Sequence, residues 1–348
     1  MRRVPQLLGR FLCGAALFSW HKPATPVSGA SGAQLDKITN NADLSDGALS
    51  AGEFELTPPS QFQLDYIAPP SALSDYITTL YHFRCDEADI RDIQPAAIGH
   101  LALFPYGVGE MQFDDGRVDP SHEVNLLTPF SVAAPFVVDG PFHAIGAVMS
   151  PLGWAAMTGL HAGDYGNRLV RASDFLGKEV EDHGARLCAQ YRAGEKSGPE
   201  CADWLCSHIG ASLRPVKARH SELIQQTNAW LGSSLNPSTE SLMEAANYSE
   251  RQVQRLVERY FGLAPSALAR KYRAIRAATL LSFPMLTPEW EAELAEAFFD
   301  QSHMIREIRR FVGRTPARLT DDENPFLSEM LTPKNLREIE MPGSTDGE

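Results

Sequence analysis

Residues 249–262 constrain this chain more tightly than any other stretch. Ser249 followed three positions later by Gln252 has the spacing of a capping box, which satisfies the unpaired amides of a first helical turn, and Gly262 is a natural stop. Between them Val253, Leu256, Val257 and Tyr260 fall at i, i+3, i+4 and i+7, one apolar stripe that has to be buried. Upstream, Ser238 to Asn247 reads as a shorter helix, so the passage is helix, tight turn, helix. Burying the stripe presents Arg251, Gln254 and Arg255 on the opposite face.

Exposed Arg and Gln on a single helix are ordinarily a solvated face, but here the design recurs. Thr287 and Pro288 open a helix, Asp300 caps the next, and Gly313 ends it. Met304, Ile308 and Phe311 share a buried face, while Ser302, His303, Arg306 and Arg310 gather on the other side, and Gln301 lies toward the buried side of the wheel. Between the two passages Ala264 to Ser282 forms one long helix. Leu268, Tyr272, Ala277, Leu280 and Leu281 are expected to pack, leaving Arg270, Lys271, Arg273 and Arg276 for solvent or phosphate.

Arginine can bridge guanine O6 and N7, and glutamine adenine N6 and N7, in a major groove wide enough for a helix. If Arg255 and Arg306 enter successive grooves, their separation approaches one duplex turn, ~34 Å. A net charge of −13 speaks against a polyanionic partner, because DNA binding draws most of its affinity from phosphates. The average hides a local difference. Residues 238–320 hold twelve basic and ten acidic side chains, an excess of two, so the remainder of the chain carries −15.

Three runs resemble the AraC/XylS family of bacterial transcription regulators: Tyr248-Ser-Glu-Arg-Gln-Val-Gln-Arg-Leu256, Arg273-Ala-Ile-Arg-Ala-Ala-Thr-Leu-Leu281, and the most specific, Asp300-Gln-Ser-His-Met-Ile-Arg-Glu-Ile-Arg-Arg-Phe-Val-Gly-Arg-Thr-Pro316. The resemblance spans about Ser221 to Leu319. It implies a helix-turn-helix regulator binding double-stranded DNA, with base reading by Arg251, Gln254 and Arg255 in the first unit and by Gln301, Ser302, His303 and Arg306 in the second. His303, near a helix start, is as well suited to a phosphate or a cap as to a base. Phosphate contacts are expected from Arg259, Arg270, Arg273 and Arg309. The family usually has Gly in each turn, where this chain has Asn247 and Ala297. Asn tolerates positive φ, but a left-handed Ala297 would cost on the order of 1 kcal/mol and tilt the following helix.

The remainder of the chain reads as an α+β arrangement: residues 1–50 a flexible leader, 51–214 a β-rich sensor or dimerisation domain, 215–320 the all-α DNA-binding domain, and 321–348 an acidic tail. Short apolar runs at Leu101–Phe104, Glu123–Leu127, Ser131–Val138 and Phe142–Met149 predict antiparallel strands of a cupin-like barrel or a sandwich, with helices following from Pro151. Leu73-Ser-Asp-Tyr-Ile77 and Ala144-Ile-Gly-Ala-Val-Met-Ser-Pro151 have a looser likeness to the N-terminal domains of some family members. Trp154, Tyr81, Phe83 and Phe104 could line an apolar pocket, although aromatics at such positions are more often core.

No enzyme and no cofactor or metal is expected. His82, His100, His122, His143 and His161 are scattered singly, the five cysteines form no CxxC pair, and no phosphate-binding glycine loop or nucleophile elbow occurs. Met1-Arg2-Arg3 and the apolar run from Leu7 to Trp20 have a signal-peptide character that Arg10 interrupts, so a cytoplasmic protein with a disordered extension or a misplaced start is expected. No segment approaches the ~20 apolar residues of a membrane span. A small-molecule effector, a homodimer and RNA polymerase are admissible partners beside DNA. The alternative is a sensory or scaffold protein whose helix-turn-helix units mediate protein contacts.

Overall fold

The computed structural model describes residues 61–282 and 287–314, all within one unit that begins at Leu44. The expected leader, residues 1–50, and acidic tail, residues 321–348, lie outside the described residues.

The N-terminal half is one antiparallel sheet built from β1 (Phe62–Ile67), β2 (Ile77–Cys85), β3 (Asp89–Gln94), β4 (His100–Gln112), β5 (Val118–Pro120), β6 (Val124–Leu127), β7 (Ala134–Met149) and β8 (Leu169–Arg171). Its order is β1-β2-β7-β4-β6-β8, with β3 on β7 and β5 on β4. The two long strands, β4 and β7, pair with each other and carry β2, β3, β5 and β6, with β1 and β8 added at the edges, so there is one continuous sheet rather than two. The runs expected as separate strands at Ser131–Val138 and Phe142–Met149 are one strand, β7. Asp139-Gly140-Pro141 looks like a turn in sequence, but Gly140 is there because a Cβ would run into the Glu87 carbonyl. Irregular pairing of β4 between Leu103 and Val108 bends the sheet.

Side chains alternate across this sheet, and its two faces have different work. Leu80, Leu101, Leu103, Ile145 and Ala147 point to one face, beneath α1 (Pro151–Thr158), α4 (Lys178–Arg192) and α5 (Gly198–Ser212), where Trp154 is the largest buried side chain. Pro151 does open α1, with Ser150 accepting from the Gly153 N–H at 3.0 Å. Tyr81, Phe83, Phe104, Phe142 and Ala144 point to the opposite face, which encloses a chamber. Two short helices, α2 (Ala162–Tyr165) and α3 (Ser173–Leu176), flank β8.

The C-terminal half is entirely helical among the described residues: α6 (Ala218–Gly232), α7 (Thr239–Ala245), α8 (Glu250–Phe261), α9 (Pro265–Leu281), α10 (Pro288–Ala297) and α11 (Gln301–Val312). Leu223, Trp230, Leu242, Val253, Leu256 and Leu268 make its core, and Leu152 and Ala155 of α1 pack against that core from the other half. Polar contacts fix the two halves further. The Ala96 N–H donates to the Phe311 carbonyl at 2.8 Å, and the Ala133 N–H to the Arg310 carbonyl at 3.0 Å. Gly313, at φ +85°, ends α11 in the left-handed conformation, and a Cβ there would lie 2.3 Å from Ile93 Cγ2, so both backbone and space require glycine.

Next to it Arg314 forms an ion pair with Asp92, both almost wholly buried, and the Ile93 N–H donates to the same carboxylate at 2.7 Å. Removing one partner leaves an uncompensated charge in the interior, which costs more than the intact pair contributes. Asp92→Ala is therefore expected to lower stability by about 3–5 kcal/mol, read as the urea midpoint. The double replacement Asp92→Leu with Arg314→Met should recover most of that loss; equal loss in both proteins would refute the assignment.

Candidate nucleic-acid interface

The first outward face forms as the stripe dictates. Val253, Leu256, Val257 and Tyr260 are buried on α8, while Arg251, Gln254 and Arg255 are exposed. The entry is held by Gln252 Oε1, which accepts from the Ser249 N–H at 3.2 Å and from its hydroxyl at 3.0 Å. Gly262 closes the helix at φ +82°. Further cations, not anticipated from the motif, surround this face. Arg219 of α6 is exposed and stacks 5.3 Å from the Tyr248 ring centre, beside the start of α8. His220, bonded to the Tyr260 hydroxyl at 2.6 Å, has its pKa pushed down by burial and then by the charges of Lys217, Arg259, Arg255 and Arg219. Positive charge is thus concentrated around α8 in a chain that is acidic as a whole.

The second face is built the same way on α11. Asp300 accepts from the His303 N–H at 2.7 Å, and Met304, Ile308 and Phe311 are buried. Gln301, Ser302, Arg306, Arg309 and Arg310 are exposed, so Gln301 is not turned to the buried side as its wheel position suggested. His303 is half-buried and engaged within the protein: its Nε2 lies 3.2 Å from Glu307, and its Nδ1 accepts from the Phe299 N–H at 3.4 Å.

Neither turn uses a left-handed residue. Ala246 and Phe298 follow α7 and α10 in extended conformations, and among the described residues Asn167 is the only non-glycine with positive φ. Asn247 and Ala297 therefore carry no such strain, and the cost anticipated at Ala297 does not arise. Ala297 is the last residue of α10 itself.

The main correction falls on α9. Arg270 is exposed, but Arg273 is buried and cannot serve a phosphate here. Its guanidinium grips the Glu307 carboxylate at 2.7 and 3.0 Å, donates to Asn236 at 2.9 Å, and lies 4.9 Å from the Phe298 ring centre. Arg276 is buried too and donates to the carbonyls of Leu231 at 2.8 Å and Ser234 at 2.6 Å. Lys271 donates to the carbonyls of Ala97 at 3.0 Å and Phe130 at 2.9 Å, which ties α9 to the N-terminal half.

That attachment brings α9 to the chamber. Its walls come from the sheet and from residues 94–98, and Lys271, Tyr272 and Ile275 of α9 complete it, around a volume of about 170 Å³. Of the aromatics named from sequence, Tyr81, Phe83 and Phe104 line it, whereas Trp154 belongs to the core on the other side of the sheet. His100 also lines it, with its pKa lowered to about 4 by burial and by the Lys271 charge. Among the described residues there is no cluster of metal-ligating side chains, and no helix is long and apolar enough to cross a membrane.

Residues 242–321 match the family model of a helix-turn-helix domain. No curated protein matches the chain. Solved structures similar to it include ToxT from Vibrio cholerae, at 10% identity and TM-score 0.41, covering 75% of this chain and 98% of that one. ToxT with an unsaturated fatty acid bound has 9% identity and TM-score 0.41, covering 78% and 99%. The AraC-like transcriptional activator CuxR has 13% identity and TM-score 0.28, covering 62% and 86%. Overlaps this loose bear on neither ligand nor mechanism.

Two outcomes follow from the buried groups. Glu307→Ala strands the Arg273 charge and should cost about 3–5 kcal/mol in the urea midpoint, whereas Arg309→Ala, on the surface, should change it by less than about 0.5 kcal/mol. His100 is neutral in the fold down to about pH 4, while an unfolded histidine takes up a proton near 6.5. Its contribution is present above pH 6.5 and is lost as pH falls toward 4, up to on the order of 3 kcal/mol. Melting temperature should therefore fall more steeply between pH 7 and 4.5 in the parent protein than in His100→Leu; parallel curves would disprove this origin.

Proposed function

We propose that this chain, a DNA-binding transcription regulator of the AraC/XylS type by its helix-turn-helix domain, reads two adjacent major-groove segments with α8 and α11. The observation that carries the reading is the outward set Arg251, Gln254 and Arg255, with Lys217, Arg219 and Arg259 gathered around it. Gln301, Ser302 and Arg306 would read the second segment. His303, already held by Glu307, would position the helix start and meet the DNA only at its edge. Arg259, Arg270 and Arg309 would meet phosphates, and the Arg273–Glu307 pair would set the angle of α11 rather than touch DNA.

Binding of this kind releases counterions and weakens steeply with salt, while the acidic remainder of the chain keeps non-specific attachment low. A small molecule in the chamber, a second copy of the chain and RNA polymerase complete the proposed partners, in the cytoplasm, and no catalysis is involved.

The test is selection of duplexes from a random pool by the full-length protein at near-physiological salt. Two short half-sites about one turn apart, ~34 Å, are expected. Arg255→Ala should relax preference at one base pair of the first half-site by ~1–3 kcal/mol, and Arg306→Ala likewise in the second. A single half-site would remove α11 from the reading, and no enrichment would leave the two units as protein-binding surfaces.

A further inference from the structure

The helices α8 and α11 both end on the N-terminal half, and on the same part of it. At α8 the stop is Gly262, where a Cβ would lie 3.5 Å from the Ala162 carbonyl oxygen and 3.7 Å from Pro129 Cβ. A Cβ at Gly163 would lie 3.1 Å from Glu258 Cγ, so α2 rests against the last turn of α8. At α11 the last carbonyls have no partner within the helix. The Ala133 N–H donates to that of Arg310 at 3.0 Å, and the Ala96 N–H to that of Phe311 at 2.8 Å. Between these two ends, the carbonyls of Phe130 and Ala97 receive Lys271 of α9. The short β6–β7 connection, residues 128–133, thus meets the end of α8 at Pro129, α9 at Phe130 and the end of α11 at Ala133.

One residue holds this connection in place. Among the described residues Asn167 alone, apart from glycines, has positive φ, 57°, a conformation that asparagine adopts at lower cost than most side chains. Its N–H donates to the Pro129 carbonyl at 3.0 Å, its Oδ1 accepts from the Ser131 N–H at 2.8 Å, and its Nδ2 donates to the Ser131 hydroxyl at 2.8 Å. Asn167 follows closely on α2, so it joins the segment that rests on α8 to the segment that caps α11. The neighbouring residues continue the link. The Thr128 N–H donates to the Arg168 carbonyl at 3.0 Å, and the Arg168 N–H to the Thr128 hydroxyl at 2.9 Å. A connection paired in this way, and buried at Thr128, Pro129, Phe130 and Val132, is a rigid part of the fold.

Two bodies joined by a single helix keep the freedom to rock about it, and a second attachment to each removes that freedom. We propose that residues 128–133, locked by Asn167, form a ledge that sets the separation and orientation of α8 and α11, so that the N-terminal half dictates the half-site spacing this protein accepts. Asn167 is a positioning residue, acting on the helices through Pro129 and Ser131. The ledge is a property of the chain alone, and its meaning for spacing rests on the reading of two groove segments.

Spin labels at Gln254→Cys and Arg306→Cys, in a Cys13→Ser background where the other cysteines are buried, report the distance between α8 and α11 without DNA. The parent should give one narrow distribution. Asn167→Gly, which keeps the backbone conformation and removes the side-chain grip, should widen it at least twofold. Asn167→Asp, which keeps the acceptor for the Ser131 N–H, should stay close to the parent. Leu187→Ala, in the core on the other face of the sheet, lowers stability without touching the ledge and should leave the width unchanged. In selection from duplex pools with half-sites at varied spacing, unlabelled Asn167→Gly should accept at least two spacings more than the parent, with base preferences inside each half-site unchanged. An unchanged width in Asn167→Gly, equal widening in Leu187→Ala, or a widened distance with the parent's strict spacing would each overturn the proposal. A parent that selects no paired half-sites would sink the two-segment reading and the spacing role with it, whereas the label distances still decide the ledge.

Discussion

Three cations buried along one helix hold this protein together. Lys271, Arg273 and Arg276 lie within two turns of α9, and each ends on a different body: Lys271 on the carbonyls of Ala97 and Phe130, Arg273 on Glu307 of the second unit, Arg276 on carbonyls at the end of α6. Burying a charge is tolerable only where hydrogen bonds replace the lost water, so each cation restricts its partner to a narrow range of positions. The end of α6, the second unit and the sheet are thereby referred to one axis. The Asp92–Arg314 pair adds a second anchor at the far end of α11.

These same residues mark where the sequence stops being informative. The stripes on α8 and α11 were legible because an apolar face at helical spacing with caps at both ends has few alternatives, and both helices end at the glycines expected of them. On α9 the periodicity misleads. A cation spaced for solvent and a cation spaced for a buried carbonyl look identical on a helical wheel, and what decides is a partner remote in sequence, 174 residues away for Lys271 and Ala97. Arg273 failed as a phosphate ligand for that reason.

The sheet was legible only in part: the apolar runs mark β4, β6 and β7, whereas β1, β2, β3, β5 and β8 were not anticipated. β4 and β6 fall on their apolar runs, but β7 continues through Gly140 and Pro141 because glycine there answers to the Glu87 carbonyl, a neighbour invisible in the local pattern. The aromatics Tyr81 and Phe83 alternate with Leu80 and His82, which settles the face they occupy once the strand is known. Trp154, on α1, carries no such marker, and only its packing with Leu80, Leu101 and Ile145 on the other face of the sheet assigns it to the core. The two turns were read for a left-handed residue, whereas extended residues at Ala246 and Phe298 make the reversal.

The chamber is shared property. Tyr272 and Ile275 form part of its lining while belonging to the helix that links the two helix-turn-helix units, and residues 94–98 are at once its wall and the seat for the end of α11. The halves of this protein are consequently not interchangeable cassettes. A chimera that grafts this sheet onto another helical domain would lose the part of the lining that α9 supplies, and whatever selectivity the cup has would change with the graft.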